Sequence, residues 1–134
     1  MRAMDVMTRD VRVCRADEPL SAVALEMWHY EIHSMPVVDE KSRPVAVVTD
    51  RSVCMAALRT GRPLEVLRAE RAMMAVVTVA VDTPVERLRR QLRDLDLRWA
   101  PVVGLGGVLA RVVTIGDIER SLRARPVLKR RLVA

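Results

Sequence analysis

Hydrophobic and polar positions along this chain follow one pattern, and the pattern occurs twice. Val11 to Cys14 is a short Val-containing run that predicts a strand. Asp17-Glu18-Pro19 then supplies acidic residues and a proline where a helix begins. Leu20, Val23, Ala24, Met27 and Tyr30 follow at helical spacing. Met35 to Val38 reads as a buried strand, Asp39 to Arg43 as a polar turn, Pro44 to Thr49 as a second strand and Arg51 to Arg59 as a second helix. The second half follows suit. Val76 to Val79 predicts a strand, and Asp82-Thr83-Pro84 opens a helix whose stripe is Val85, Leu88, Leu92 and Leu95. Trp99 to Val103 is a strand, Gly104 to Gly107 a turn, Val108 to Thr114 a strand and Ile115 to Arg123 a helix.

The halves align without a gap at an offset of 65 positions. Asp17 and Pro19 fall on Asp82 and Pro84. Pro36-Val37-Val38 falls on Pro101-Val102-Val103, and Val47-Val48-Thr49 on Val112-Val113-Thr114. Two tripeptides matched at one offset mark an internal repeat. Each copy is a β-α-β-β-α unit, so the expected fold class is α/β (more strictly α+β). The motif boundaries are expected at 1–60 and 61–134, with Thr60 to Pro63 as the connector. A single unit leaves one sheet face bare, and two copies are expected to bury those faces together around a pseudo-twofold axis. Met1 to Arg9 and Leu64 to Met74 are expected to be short helical lead-ins, and the tail from Pro126, with Lys129-Arg130-Arg131, to be loose.

Composition narrows this picture. The 134 residues suit one domain with a sizeable core. With 51% hydrophobic residues but no Phe, that core must be Val, Leu, Ala and Met. No apolar run approaches the ~20 residues that span a bilayer, and the N-terminus lacks the apolar stretch of a signal peptide. Two cysteines, Cys14 and Cys54, are too few for a disulfide framework. A cytoplasmic protein with reduced thiols is expected. The net charge of +6 attracts anions, although the mixed charges from Glu86 to Arg98 equally describe a solvated helix face.

The repeated unit resembles the cystathionine-β-synthase (CBS) motif, and its duplication resembles a CBS pair, or Bateman module. The resemblance rests on Asp5-Val6-Met7-Thr8, Met35-Pro36-Val37-Val38-Asp39 and Val47-Val48-Thr49-Asp50-Arg51-Ser52-Val53. In the second half it rests on Ala100-Pro101-Val102-Val103 and Val112-Val113-Thr114-Ile115-Gly116-Asp117-Ile118. It implies a regulatory module, not an enzyme, that binds AMP, ADP, ATP or S-adenosylmethionine as a regulatory ligand in a cleft between motifs. It also implies a homodimer that signals to a separate effector protein, with no other cofactor and no metal.

The family's binding pattern is a Gly, two hydrophobic residues, Thr or Ser, two further residues and Asp, running from a strand into a helix start. Such a start offers backbone N–H groups and a partial positive charge. The resemblance therefore makes Asp117 the ribose ligand and Thr114 a ribose or phosphate contact, with backbone near Val76 and Ala100 framing the adenine. Thr49 is the first-half counterpart. Arg51 and Arg98 are candidate phosphate partners, since Arg grips phosphate bidentately. The sequence departs from the pattern at Arg111 and Ala46, which replace the Gly, and at Ser52, which replaces the first-half Asp. Thr49 and Thr114 are also ordinary N-caps, worth roughly 1 kcal/mol, and Asp117 is an ordinary first-turn acid.

Other signals carry less. His29 and His33, with Glu26, have the spacing of a zinc site on one helix face, but Pro36 lies close and solvated or capping histidines are expected. Gly104 to Gly107 precedes a strand, so a hairpin turn is expected and not a phosphate loop. The alternatives to a sensor are a ligand-free interaction scaffold and a nucleic-acid-binding module. The last lacks a stacking platform, having only Trp28, Trp99 and Tyr30.

Overall fold

A computed structural model describes residues 1–7 and 11–123. Thr8 of the first quoted motif, the end of the first lead-in and the tail from Pro126 lie outside the described residues. In chain order the elements are α1 (Ala3–Val6), α2 (Leu20–Tyr30), β1 (Ser34–Val38), β2 (Pro44–Thr49) and α3 (Asp50–Thr60). They continue with β3 (Val79–Ala80), α4 (Val85–Asp94), β4 (Trp99–Val103) and β5 (Leu109–Thr114). Residues 115–123 are helical and are called α5. The fold is mixed α+β, and its main helices and hairpin strands stand where the hydrophobic pattern puts them.

Two compact units divide the chain. One comprises Val11–Val76 with Gly107–Leu109, and the other comprises Met1–Asp10, Val77–Gly106 and Ala110–Ala134. In the first, β1 and β2 pair antiparallel, with Met35 opposite Val48 and Val37 opposite Ala46. Their inward side chains meet Leu20, Val23 and Met27 of α2 and Val53 and Ala56 of α3. In the second, β4 lies between β3 and β5. Its core joins Val85, Leu88 and Leu92 of α4 to Val102, Val113 and Ile118. Leu95, expected on the α4 stripe, is the C-cap residue and is 53% exposed.

The first strand of each repeat is shorter than its apolar run. Val11 to Cys14 is reduced to a single bridging residue, Cys14, parallel to Val37. Val76 to Val79 is reduced to Val79–Ala80, with Val79 parallel to Val102. Proline is the physical reason. Cys14 N–H donates to the Pro36 carbonyl at 3.0 Å, and Val38 N–H donates to the Cys14 carbonyl at 2.9 Å. Parallel pairing would next require Pro36 to donate an N–H to residue 12, and proline has none. Pro101 stands in the same place beside β3, and that strand also stops.

The lead-ins change places between the repeats. In the first unit, Leu20 N–H donates to the Leu67 carbonyl (2.8 Å), Ala69 to Glu18 (2.8 Å) and Glu70 to Ala16 (3.0 Å). The Arg68 guanidinium donates to the Asp17 carbonyl at 2.6 Å. In the second unit, Val85 N–H donates to Met1 (3.0 Å), Ala3 to Thr83 (2.8 Å) and Met4 to Val81 (3.0 Å). Arg2 donates to the Asp82 carbonyl at 3.1 Å. Each segment that leads into one repeat thus docks on the strand–helix junction of the other, and the compact units are drawn differently from the sequence repeats 1–60 and 61–134. The exchange also satisfies helix starts, because Pro19 and Pro84 are the N-caps of α2 and α4 and carry no side-chain cap bond. The second lead-in is helical only as a 3₁₀ turn at Ala69–Ala72.

Candidate functional site

Each repeat brings a Thr to the point where a strand becomes a helix. At the start of α3, Ser52 N–H donates to Thr49 Oγ1 and Thr49 N–H donates to Ser52 Oγ, both at 2.9 Å. At the start of α5, Asp117 N–H donates to Thr114 Oγ1 at 3.1 Å and Thr114 N–H donates to Asp117 Oδ2 at 3.2 Å. Both are reciprocal capping boxes. The second differs in its charge. Asp117 presents a carboxylate with its side chain 15% exposed, and its Oδ1 accepts from the Arg120 guanidinium.

The remaining N–H groups separate the two starts. At α3, Asp50 N–H goes to the His33 carbonyl (3.0 Å), Arg51 N–H to Asp50 Oδ1 (2.7 Å) and Ser52 N–H to Thr49. That first turn is saturated. At α5, Ile115 N–H goes to the Arg98 carbonyl (2.8 Å) and Asp117 N–H to Thr114. Gly116, between them, brings no side chain of its own to this turn. Arg51 is its counterpart at the first start. The second start therefore holds a carboxylate, a hydroxyl and a glycine within one turn.

The expected residues divide between the units. Thr114, Asp117, Arg98 and Ala100 share one unit, and Thr49, Arg51 and Val76 belong to the other. Arg98 is exposed and its backbone anchors the start of α5. Ala100 is fully buried, backbone included. Arg51 is exposed, and Thr49 Oγ1 lies 4.0 Å from the Met74 sulfur. Met74 in turn pairs with Val47 through both backbone groups (2.8 and 3.0 Å), next to Val76. Arg111 is exposed and donates to the Ala110 carbonyl at 2.8 Å, whereas Ala46 is buried. Arg120 and Gly116 are the site residues that sequence reasoning missed. The i, i+3 spacing of Asp117 and Arg120 was the available signal.

The zinc spacing dissolves into other contacts. His29 packs edge-on against Tyr30, with ring centroids 4.8 Å apart. His33 Nδ1 lies 2.9 Å from Asp50 Oδ2, and that contact holds the Asp50 carboxyl below its usual range. Among the described residues, no group of three or more His, Cys, Asp or Glu side chains has the geometry to hold a metal ion. Both cysteines are free thiols, Cys14 buried and Cys54 exposed. The Gly104 to Gly107 segment is the turn between β4 and β5, with Gly106 and Gly107 at φ of 70° and 76°. No helix among the described residues is long and apolar enough to cross a membrane.

The CBS domain family model matches residues 3–59 and 71–124. An uncharacterized protein of Methanopyrus kandleri is 30% identical over 125 residues, which takes in 92% of this chain and 62% of that protein. This chain thus spans less than two thirds of that relative. Among solved structures, CBSX2 in complex with AMP superposes with a TM-score of 0.81 at 19% identity, covering 93% of this chain and 98% of that one. The CBS domain pair of protein MJ0100, in complex with 5′-methylthioadenosine and S-adenosyl-L-methionine, gives a TM-score of 0.77 at 20% identity, again over 93% and 98%. At these identities the likeness is one of fold.

Proposed function

Because this chain belongs to the CBS domain family, we propose that it is a regulatory module, not a catalyst, that binds an adenosine-containing ligand at the start of α5. The observation that carries the reading is the arrangement of Thr114, Gly116 and Asp117 in one helical turn. A carboxylate accepts two hydrogen bonds from vicinal ribose hydroxyls. The positive end of the helix favours a phosphate. Gly116 adds no Cβ to obstruct approach. Arg98, exposed where β4 begins, is a second cation for that phosphate. The solved pairs that carry AMP, 5′-methylthioadenosine and S-adenosylmethionine support this ligand class. The first-half start, with Ser52 for the carboxylate and its N–H groups saturated, is the weaker site.

Ligand capture biases one arrangement of the module, and a separate effector protein reads that bias. The module acts in the cytoplasm as a homodimer. Exposed apolar side chains on the helices, Leu25, Trp28 and Leu58, offer a face for the second copy.

Thermal unfolding tests the ligand reading. A ligand at about 100 times its Kd stabilises the fold by roughly 2.7 kcal/mol, a shift of several degrees for a domain of this size. AMP, ADP, ATP and S-adenosylmethionine are each titrated against wild type and Asp117→Asn, which keeps an acceptor for the Thr114 N–H. A shift in wild type that Asp117→Asn loses supports the reading. A flat wild-type response to all four removes it and favours the ligand-free scaffold. That second reading has its own support, since both capping boxes satisfy themselves and Arg111 and Ala46 stand where the binding pattern has Gly.

A further inference from the structure

Arg120 folds back over the start of its own helix. A Cβ built on Gly116 would meet Arg120 Nη1 at 3.3 Å and Thr114 Oγ1 at 3.7 Å. The same guanidinium bonds Asp117 Oδ1 through Nη2. Helical side chains lean toward the N-terminus, so a residue three positions on covers the preceding turn. The guanidinium therefore lies across the approach to Gly116 and Asp117 while its side chain stays 68% exposed. The first repeat has nothing comparable, because Met55 occupies the corresponding position.

We propose that Arg120 determines ligand specificity at the α5 site by exchanging Asp117 for the ligand's phosphate, which selects phosphorylated adenosines over uncharged ones. This inference rests on the adenosyl-binding reading above. Asp117 Oδ2 already accepts the Thr114 N–H, so a ribose diol competes with Arg120 for Oδ1. A neutral nucleoside breaks the ion pair and gives the guanidinium nothing in return. A nucleotide brings its own anion, to which the displaced guanidinium donates in bidentate fashion. The nearest basic neighbour on the same helix, Arg123, donates to the Glu119 carbonyl at 3.3 Å, so Arg120 is the α5 cation directed at the helix start. By the same logic 5′-methylthioadenosine and S-adenosylmethionine, which carry no phosphate, bind less tightly than AMP.

Isothermal titration of AMP and adenosine, a pair that differs only in the phosphate, tests this in wild type, Arg120→Ala and Asp117→Asn. The expected wild-type preference for AMP is about tenfold or more, the worth of one charge-assisted hydrogen bond. Arg120→Ala brings that preference close to unity and tightens adenosine binding several-fold, because the competitor for Asp117 is gone. The proposal is overturned if wild type binds AMP and adenosine equally, or if Arg120→Ala keeps the wild-type preference. In either case loss of both ligands in Asp117→Asn would leave the site itself standing. Binding of neither ligand by wild type or Arg120→Ala removes the site and this inference together.

Discussion

At the scale of single residues, the same side-chain type serves opposite ends in different surroundings. Cys14 sits in the core of its unit, bridged to Val37. Burial pushes its thiol up to about 12, with the carboxylates of Glu18 and Glu26 adding to the rise. Cys54 is exposed on α3. Thiolate is the reactive form, so a thiol reagent at pH 8 is expected to modify one cysteine per folded chain. Cys54→Ser should abolish that fast labelling, and Cys14→Ser should leave it unchanged. Rapid labelling of Cys14 in the native protein would contradict its placement. The raised value also fixes a sign. The neutral thiol is favoured in the fold, so the stability it contributes is complete below the ordinary thiol range. It is lost as pH climbs from 9.0 toward 12. Side-chain chemistry at α5 was only half legible in the sequence. Thr114 and Asp117 follow from the motif, whereas Arg120 acquires meaning only when its guanidinium is seen lying over Gly116.

At the scale of elements, α2 and α4 end alike. Glu31 and Asp96, at equivalent places in the repeats, take the left-handed conformation with φ of 55° and 53°. After each, the chain turns back, with Ile32 N–H donating to Met27 and Leu97 N–H to Leu92. Non-glycine residues adopt this geometry at a cost of roughly 1 kcal/mol. Glu31→Gly and Asp96→Gly are each expected to stabilise the fold by about 0.5–1 kcal/mol, less the entropy glycine adds to the unfolded chain. Denaturant midpoints at constant m-value would check this, and a loss of stability in both would show that the side chains matter more than the backbone. The elements themselves were readable because apolar spacing is local. Leu20, Val23 and Met27 announce α2, and Val85, Leu88 and Leu92 announce α4. Strand length was misjudged for a reason also in the sequence but not in its apolar pattern. Pro36 and Pro101 lack the N–H that a longer parallel ladder needs.

At the scale of the whole molecule, the repeat was legible and the traffic of its lead-ins was not. An offset of 65 positions says that two copies exist. It does not say which copy a connecting segment joins, because the joining bonds are backbone to backbone and leave little trace in side-chain type. Leu67, Ala69 and Glu70 satisfy Leu20, Glu18 and Ala16, while Met1, Ala3 and Met4 do the same for Val85, Thr83 and Val81. Residues 1–60 expressed alone therefore lack the backbone that satisfies the start of α2, and residues 61–134 lack the one that satisfies α4. Each fragment is expected to show little native structure by circular dichroism, and an equimolar mixture to regain it. A fragment 1–60 that folds as a monomer, with its residue 20 amide protected from exchange, would argue against this.

The crossed lead-ins also bear on how such a chain could have arisen. A lone ancestral repeat would carry an arm that fits a berth on another copy, so two identical chains would clasp each other arm in berth. Joining the two copies end to end turns that handshake between strangers into an internal fastening that no longer depends on concentration. It also frees the copies to diverge, and at the third position of the helix one of them holds a carboxylate where the other holds a hydroxyl.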